Sequence, residues 1–239
     1  MKMAIVSDIH GNLPALQAFL QDIESENVEK IICLGDTIAI GPYPSECLNI
    51  LFADSRFVSI MGNHEEYYVF GIPNPIPDYM SEGEVRHQAW VRQLVGENYK
   101  EKVSTLPYKV DFEFNDSKFV FLHYMRENFS NKFKPIVENN VEDLDEVFEG
   151  VDANVIFFGH LHLPCDIAGN CRYLNPGSLG CSKDPIARYI LLEAKGQETI
   201  IEKREAVYNK QPLFDALMER EVPEREFIGK IFFGAVKYK

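Results

Sequence analysis

Residues 3–14 read Met-Ala-Ile-Val-Ser-Asp-Ile-His-Gly-Asn-Leu-Pro, and this stretch sets the pattern for the chain. Lys2 to Ser7 is a short, β-rich apolar run that stops at Asp8-Ile9-His10-Gly11-Asn12. Beyond it, Leu13, Leu16, Phe19, Leu20 and Ile23 fall at spacings of three and four, which predicts an amphipathic helix. Asn12 is placed to cap that helix, and Pro14 suits its first turn, where a missing N–H costs nothing. The alternation continues. Lys30 to Leu34 is a second strand ended by Gly35-Asp36, and Ser45 to Phe52 a second helix. Arg56 to Met61 is a third strand, ended by Gly62-Asn63-His64-Glu65. Strand alternating with helix predicts right-handed crossovers and a parallel sheet, an α/β arrangement.

From about residue 67 to 107 the pattern changes. A loop containing Pro73, Pro75 and Pro77 precedes helical segments near Glu82–Val95 and Asn98–Leu106. We read this as a mostly helical insertion beside the active-site edge of a single domain spanning 1–239. Strands return at Tyr108–Phe114 and Lys118–Leu122, joined by an Asn-Asp-Ser turn, and the second runs directly into His123. An acidic amphipathic helix is expected at Val141–Phe148. Ala153 to Phe158 is a strand ending in Gly159-His160-Leu161-His162. Short strands follow around Cys165–Ala168, Arg172–Leu174, Arg188–Glu193 and Thr199–Val207. A terminal helix near Pro212–Glu221 precedes an apolar tail, Phe227 to Tyr238.

The 239 residues carry 24 basic and 37 acidic side chains, a formal charge of −13. That balance disfavours nonspecific nucleic-acid binding and attachment to an anionic membrane surface, while a small anionic substrate remains compatible if bound cations supply local positive charge. No stretch approaches the ~18 apolar residues of a membrane span, and the N-terminal apolar run is too short for a signal peptide. Cys33, Cys47, Cys165, Cys171 and Cys181 are odd in number and form no CxxC pair, so we treat them as ordinary thiols and expect a reducing, cytoplasmic setting.

The polar residues are informative by position. Asp8 and His10, Asp36, Asn63 and His64, His123, and His160 and His162 all sit where apolar strands end, and open α/β sheets bind ligands at the carboxyl ends of their strands. Residues i and i+2 of an extended segment share a side, so Asp8 with His10, and His160 with His162, can face one centre. Carboxylate, imidazole and amide oxygen suit Mn, Fe, Ni or Zn better than a calcium cage. The set exceeds the needs of one ion, and two ions sharing a carboxylate, with a bridging hydroxide for in-line attack on phosphorus, is the economical arrangement. Five of the six histidines lie at these ends; the sixth, His87, falls in the inserted helix and is assigned to a solvated face.

In their order, Asp-Ile-His-Gly-Asn, Gly-Asp-Thr-Ile-Ala-Ile-Gly-Pro, Gly-Asn-His-Glu, Leu-His-Tyr and Gly-His-Leu-His resemble the motifs of calcineurin-like metallophosphoesterases, from residue 3 to about 195. The loop Asn175-Pro-Gly-Ser-Leu-Gly180 is similar to that of their small bacterial and archaeal phosphodiesterase branch. The segments Trp90–Pro107 and Pro223–Gly234 resemble a diadenosine-tetraphosphatase-like sub-branch. The resemblance implies a four-layer αββα sandwich of two mixed sheets. It also implies two metal centres: Asp8, His10 and His162 at the first, Asn63, His123 and His160 at the second, and Asp36 bridging. His64 would protonate the leaving group, with Glu65 orienting its ring. Manganese is the first expectation for the metal, with iron, nickel and zinc behind. The implied substrate is a small phosphodiester or nucleotide pyrophosphate, a dinucleoside polyphosphate among them.

Two departures stand out. Tyr124 replaces a common glycine, where it narrows the site, stacks on a base or aromatic leaving group, or packs under the insertion. The Gly-Asp loop also lacks the arginine of phosphoprotein phosphatases. Arg126 and Arg188 are candidates to grip phosphate. A phosphomonoesterase and a non-catalytic scaffold of the same fold remain the alternatives, and Ile231-Phe232-Phe233 is open to core packing or a homo-oligomer contact.

Overall fold

The computed structural model describes residues 1–114, 116–127, 132–196 and 198–235. Its elements run in chain order β1 (Lys2–Val6), α1 (Leu13–Asp22), β2 (Lys30–Cys33), α2 (Pro44–Ala53), β3 (Phe57–Ser59), α3 (Asn63–Phe70), α4 (Glu82–Val95), α5 (Lys100–Ser104) and β4 (Lys109–Phe114). There follow β5 (Ser117–Leu122), α6 (Val141–Val147), β6 (Val155–Phe157), β7 (Cys165–Ala168), β8 (Arg172–Asn175), β9 (Ile186–Lys195), β10 (Glu198–Val207), α7 (Gln211–Glu219) and α8 (Arg225–Phe232).

Two five-stranded sheets form, ordered β10-β9-β1-β2-β3 and β4-β5-β6-β8-β7. β1, β2 and β3 are parallel, as are β5, β6 and β8, while β9, β10, β4 and β7 join antiparallel. Both sheets are therefore mixed. Side-chain alternation explains the layering. Met3 and Ile5 of β1 point inward to meet Phe119, Phe121, Phe157 and Leu174 of the other sheet. Ala4 and Val6 point outward onto Leu16 and Phe19 of α1. On the opposite outer face, Val120 and Ile156 pack against Leu144 and Val147 of α6. Helices outside and two sheets inside make the expected αββα sandwich.

Asn12 caps α1 through Oδ1, which accepts from the Ala15 N–H at 3.1 Å, while its Nδ2 donates to the Gly180 carbonyl and the Tyr208 hydroxyl. One buried side chain thus starts a helix and anchors the distant Asn175–Gly180 loop. α3 begins at Asn63, so the insertion expected from residue 67 starts inside a helix rather than in a loop. The segment read as an apolar tail contains α8, and Phe233 is fully buried with Ile40, Leu213 and Val222. The last four residues, and Asn115 of the expected Asn-Asp-Ser turn, lie outside the described residues. No helix among those described is long and apolar enough to cross a membrane.

Phe121 and Phe157 stack between the sheets with ring centroids 4.9 Å apart. Truncating Phe157 to alanine removes a buried ring from the one layer that both sheets share. Equilibrium urea denaturation of Phe157→Ala is expected to show a loss of about 3–5 kcal/mol. A loss under about 1 kcal/mol would mean that the sheets are held together elsewhere.

Candidate active site

Every strand-end residue singled out in the sequence converges on one rim. The Nε2 atoms of His10 and His162 are 2.9 Å apart, and Asp8 Oδ1 lies 3.7 and 3.4 Å from them. A second group meets beside it: His123 Nε2 is 3.1 Å from both His160 Nδ1 and Asn63 Oδ1. Asp36 Oδ2 reaches both groups, 3.2 Å from His123 Nε2 and 3.9 Å from His10 Nε2. The ring of His64 stands on the same side, its Nε2 3.9 Å from Asp36 Oδ2.

Backbone carbonyls orient two of the rings. His10 Nδ1 donates to Ile38 O at 3.2 Å and His123 Nδ1 to Leu34 O at 3.0 Å, leaving each Nε2 turned to the rim. Burial pulls His10 down to about 3, and burial with the neighbouring His123 takes His160 down to about 4, so both rings present lone pairs. His123 is driven the other way: burial opposes its charge, but the Asp36 carboxylate outweighs that and pushes it up to about 9. Burial would also raise the carboxylates. The facing imidazoles prevail, taking Asp8 down to about 2, chiefly through His162, and Asp36 well below the usual range, chiefly through His123 and His64.

The backbone holds these groups under strain. Among the described non-glycine residues, Asp8, His10, Asp36, His160 and His162 all take left-handed φ values, between 48° and 67°. Such conformations are uncommon for these residue types and persist where surrounding contacts over-determine them. The contacts are visible. Glu65 accepts the N–H groups of Asp36, Thr37 and Gly62 at 2.8, 2.8 and 2.9 Å, tying the β2 and β3 ends together. Burial and the charge of Asp36 push this carboxyl up to about 7, against the pull of its amide donors. Gly62 is required by close approach, since a Cβ there would lie 2.6 Å from the Asp36 backbone nitrogen.

A model of the calcineurin-like phosphoesterase superfamily domain matches residues 1–197. The chain belongs to this superfamily. Membership implies divalent metal ions and a phosphoester-hydrolase chemistry. An uncharacterized protein of Methanocaldococcus jannaschii is 30% identical over 251 residues, 95% of this chain and 98% of that one. Two solved structures share the superfamily fold. A metallophosphoesterase from Sphaerobacter thermophilus has a TM-score of 0.74 at 21% identity, covering 95% of this chain and 96% of its own. A hypothetical protein from Pyrococcus horikoshii has a TM-score of 0.79 at 18% identity, covering 98% of each chain. The superfamily match ends before β10, α7 and α8.

Against the superfamily pattern, several details differ from expectation. Glu65 does not touch the His64 ring. Gln88 of α4 does, its Nε2 donating to His64 Nδ1 at 2.7 Å. His87, expected in solvent, is 4% exposed: its Nε2 accepts the Ile40 N–H at 2.7 Å and its Nδ1 faces Pro223 O at 3.4 Å. Burial lowers it to about 4. The α4 face that looked polar is covered by the chain leading into α8, a contact between residues more than 130 positions apart. Tyr124 is buried, but not under the insertion. Its ring lies 5.0 Å from that of His160 and 6.1 Å from Phe148, beside α6. Arg126 pairs with Glu66 and Arg188 with Glu205. Cys181 was taken as an ordinary thiol, yet its Sγ lies within 4.8 Å of the His10 and His162 nitrogens. The only sequence signal for it was its place directly after the Asn175–Gly180 loop. The cysteines form no disulfide.

The strained backbone is testable without any assay of activity. At His162, with φ 59°, glycine accepts the left-handed conformation and alanine does not. His162→Gly is expected to melt above His162→Ala, by about 1 kcal/mol. The reverse order would show that the turn relaxes once the imidazole is gone.

Proposed function

We propose that this chain is a binuclear metallophosphoesterase that cleaves a small phosphodiester or nucleotide pyrophosphate bond. The observation that carries the reading is Asp36, one carboxylate within reach of two separate imidazole groups. The donor chemistry fits two divalent cations: imidazole nitrogens approach one another to 2.9 and 3.1 Å, a spacing suited to neighbouring ligand atoms, with carboxylate and amide oxygens between them. Asp8, His10 and His162 would hold one ion, Asn63, His123 and His160 the other, and Asp36 both. Manganese is the first choice, with iron, nickel and zinc next. Ions held there would supply Lewis acidity toward water and offset the negative charge of a phosphate ester.

The chain's own residues supply the rest. Gln88 donates to His64 Nδ1, which leaves the proton of the neutral ring on Nε2, the atom that faces the rim. The acid form is the imidazolium, whose Nε2–H faces the rim while Nδ1–H needs an acceptor, which the Gln88 amide supplies through Oε1 once it turns over. Gln88 is then a positioning residue. The Asn63 amide would stabilise negative charge on a transferred phosphoryl group, its Nδ2 donating while Oδ1 faces His123. Glu65 keeps Asp36 and Asn63 in register through its three amide contacts.

The test is hydrolysis of bis-p-nitrophenyl phosphate by chelator-stripped protein with Mn²⁺ added back, beside the matching monoester. Activity should return with the metal, favour the diester, and vanish in Asp36→Asn. His64→Ala should lower kcat by ~10²–10⁴-fold while leaving metal content unchanged. Gln88→Leu should lower kcat less and displace the alkaline limb of the pH profile, which loss of packing alone would not do. Full turnover by His64→Ala would remove the acid, and a preference for the monoester would replace the diesterase with a phosphomonoesterase.

A further inference from the structure

Beside His64 the rim opens into a cavity of ≈ 380 Å³ between α4 and α8. That size lies within the ~300–1,000 Å³ of small-molecule sites. His64 and Gln88 form its inner end, so it is continuous with the groups that would act on the leaving oxygen. Its outer wall is apolar. Phe227 lines it while 57% exposed, and Phe232 lines it with its ring 6.3 Å from that of His162. α8 follows the part of the chain that the superfamily model matches, so this wall comes from outside that match.

The charge of the cavity is one-sided. Among the described residues no lysine or arginine lines it, and two carboxylates do, Glu84 and Glu224. Glu224 is paired with Arg86 at 2.7 Å. Glu84 has no lysine or arginine partner among the described residues, and burial raises its carboxyl above the ordinary range against the opposing pull of His64. A phosphate entering past His64 would meet two carboxylates and, among the described residues, no lysine or arginine. An uncharged ring carrying amino or hydroxyl hydrogens would instead find aromatic faces and an acceptor.

We infer that this cavity receives the leaving group, and that it takes a nucleoside-sized alcohol with a flat apolar body and hydrogen-bond donors, not a phosphate chain. The inference rests on the proposed hydrolysis and narrows it: the scissile bond is an alcohol ester of a phosphodiester, and a pyrophosphate bond, whose leaving group is anionic, is the poorer substrate.

The experiment compares a dinucleoside monophosphate with the P1,P2-dinucleoside diphosphate of the same bases on the Mn²⁺-loaded full chain. The monophosphate is expected to have at least a tenfold higher kcat/KM. Phe227→Ala, a change at an exposed ring, should raise its KM about tenfold, and Glu84→Lys should narrow or reverse the preference between the two probes. Equal or opposite preference in the wild type, insensitive to Glu84→Lys, overturns the inference while leaving the phosphoesterase in place. A second readout needs no turnover. Trp90 is the only tryptophan, and its ring lies 5.6 Å from that of His87, which lines the cavity. Adenosine should change its fluorescence in the wild type and not in Phe227→Ala. No response to adenosine overturns the subsite, even if bis-p-nitrophenyl phosphate is hydrolysed. Loss of all ester hydrolysis with the adenosine response intact would instead strike the proposed function.

Discussion

The arrangement of this rim depends on one buried carboxylate that never faces it. Glu65 binds three backbone amides from two strand ends, and in doing so converts two flexible loops into a single rigid edge. A carboxylate can satisfy that many donors at once because it offers several lone pairs and no hydrogen of its own. Asp36 and Asn63 are consequently positioned by main-chain geometry rather than by their own rotamers. The left-handed turns at Asp8, His10, Asp36, His160 and His162 belong to the same economy: each conformation is unfavourable locally and tolerated because neighbouring strands leave no alternative.

Electrostatics and burial act together at this edge. A chain of charge −13 would repel a phosphate ester from most of its surface. The imidazoles gathered over Asp8 and Asp36 make an exception, a patch whose donors are held in low-dielectric surroundings and in each other's fields. Two neighbouring histidines are driven in opposite directions, His123 upward by Asp36 and His160 downward by burial, which illustrates how contact with a carboxylate can outweigh desolvation over a distance of a few ångströms.

Most of this was legible in the sequence because the signal is local. A strand followed at once by Asp-x-His or Gly-Asn-His carries its own geometry, and order along the chain did the rest. What stayed hidden was long-range. Gln88 sits on a helix whose sequence gives no hint that His64 is its partner. His87 looked solvated because the covering segment arrives near Pro223. The family resemblance implied that Glu65 orients the His64 ring; the helical turn instead sends the carboxylate back to the amides that precede the helix. α8 was taken for a tail because its amphipathic face has meaning only once α4 and the residues around Ile40 are in place.

The rim draws on both halves of the sandwich. Asp8, His10, Asp36, Asn63 and His64 follow strands of one sheet, while His123, His160 and His162 follow strands of the other. Neither sheet alone holds a full complement of either imidazole group. The two imidazole groups are therefore completed only when the two sheets dock, a non-local event. A partly folded chain with one sheet formed would expose imidazoles and carboxylates without the geometry to use them. The rim is in this sense a property of the finished assembly, and the residues gathered there also report that the chain has closed correctly.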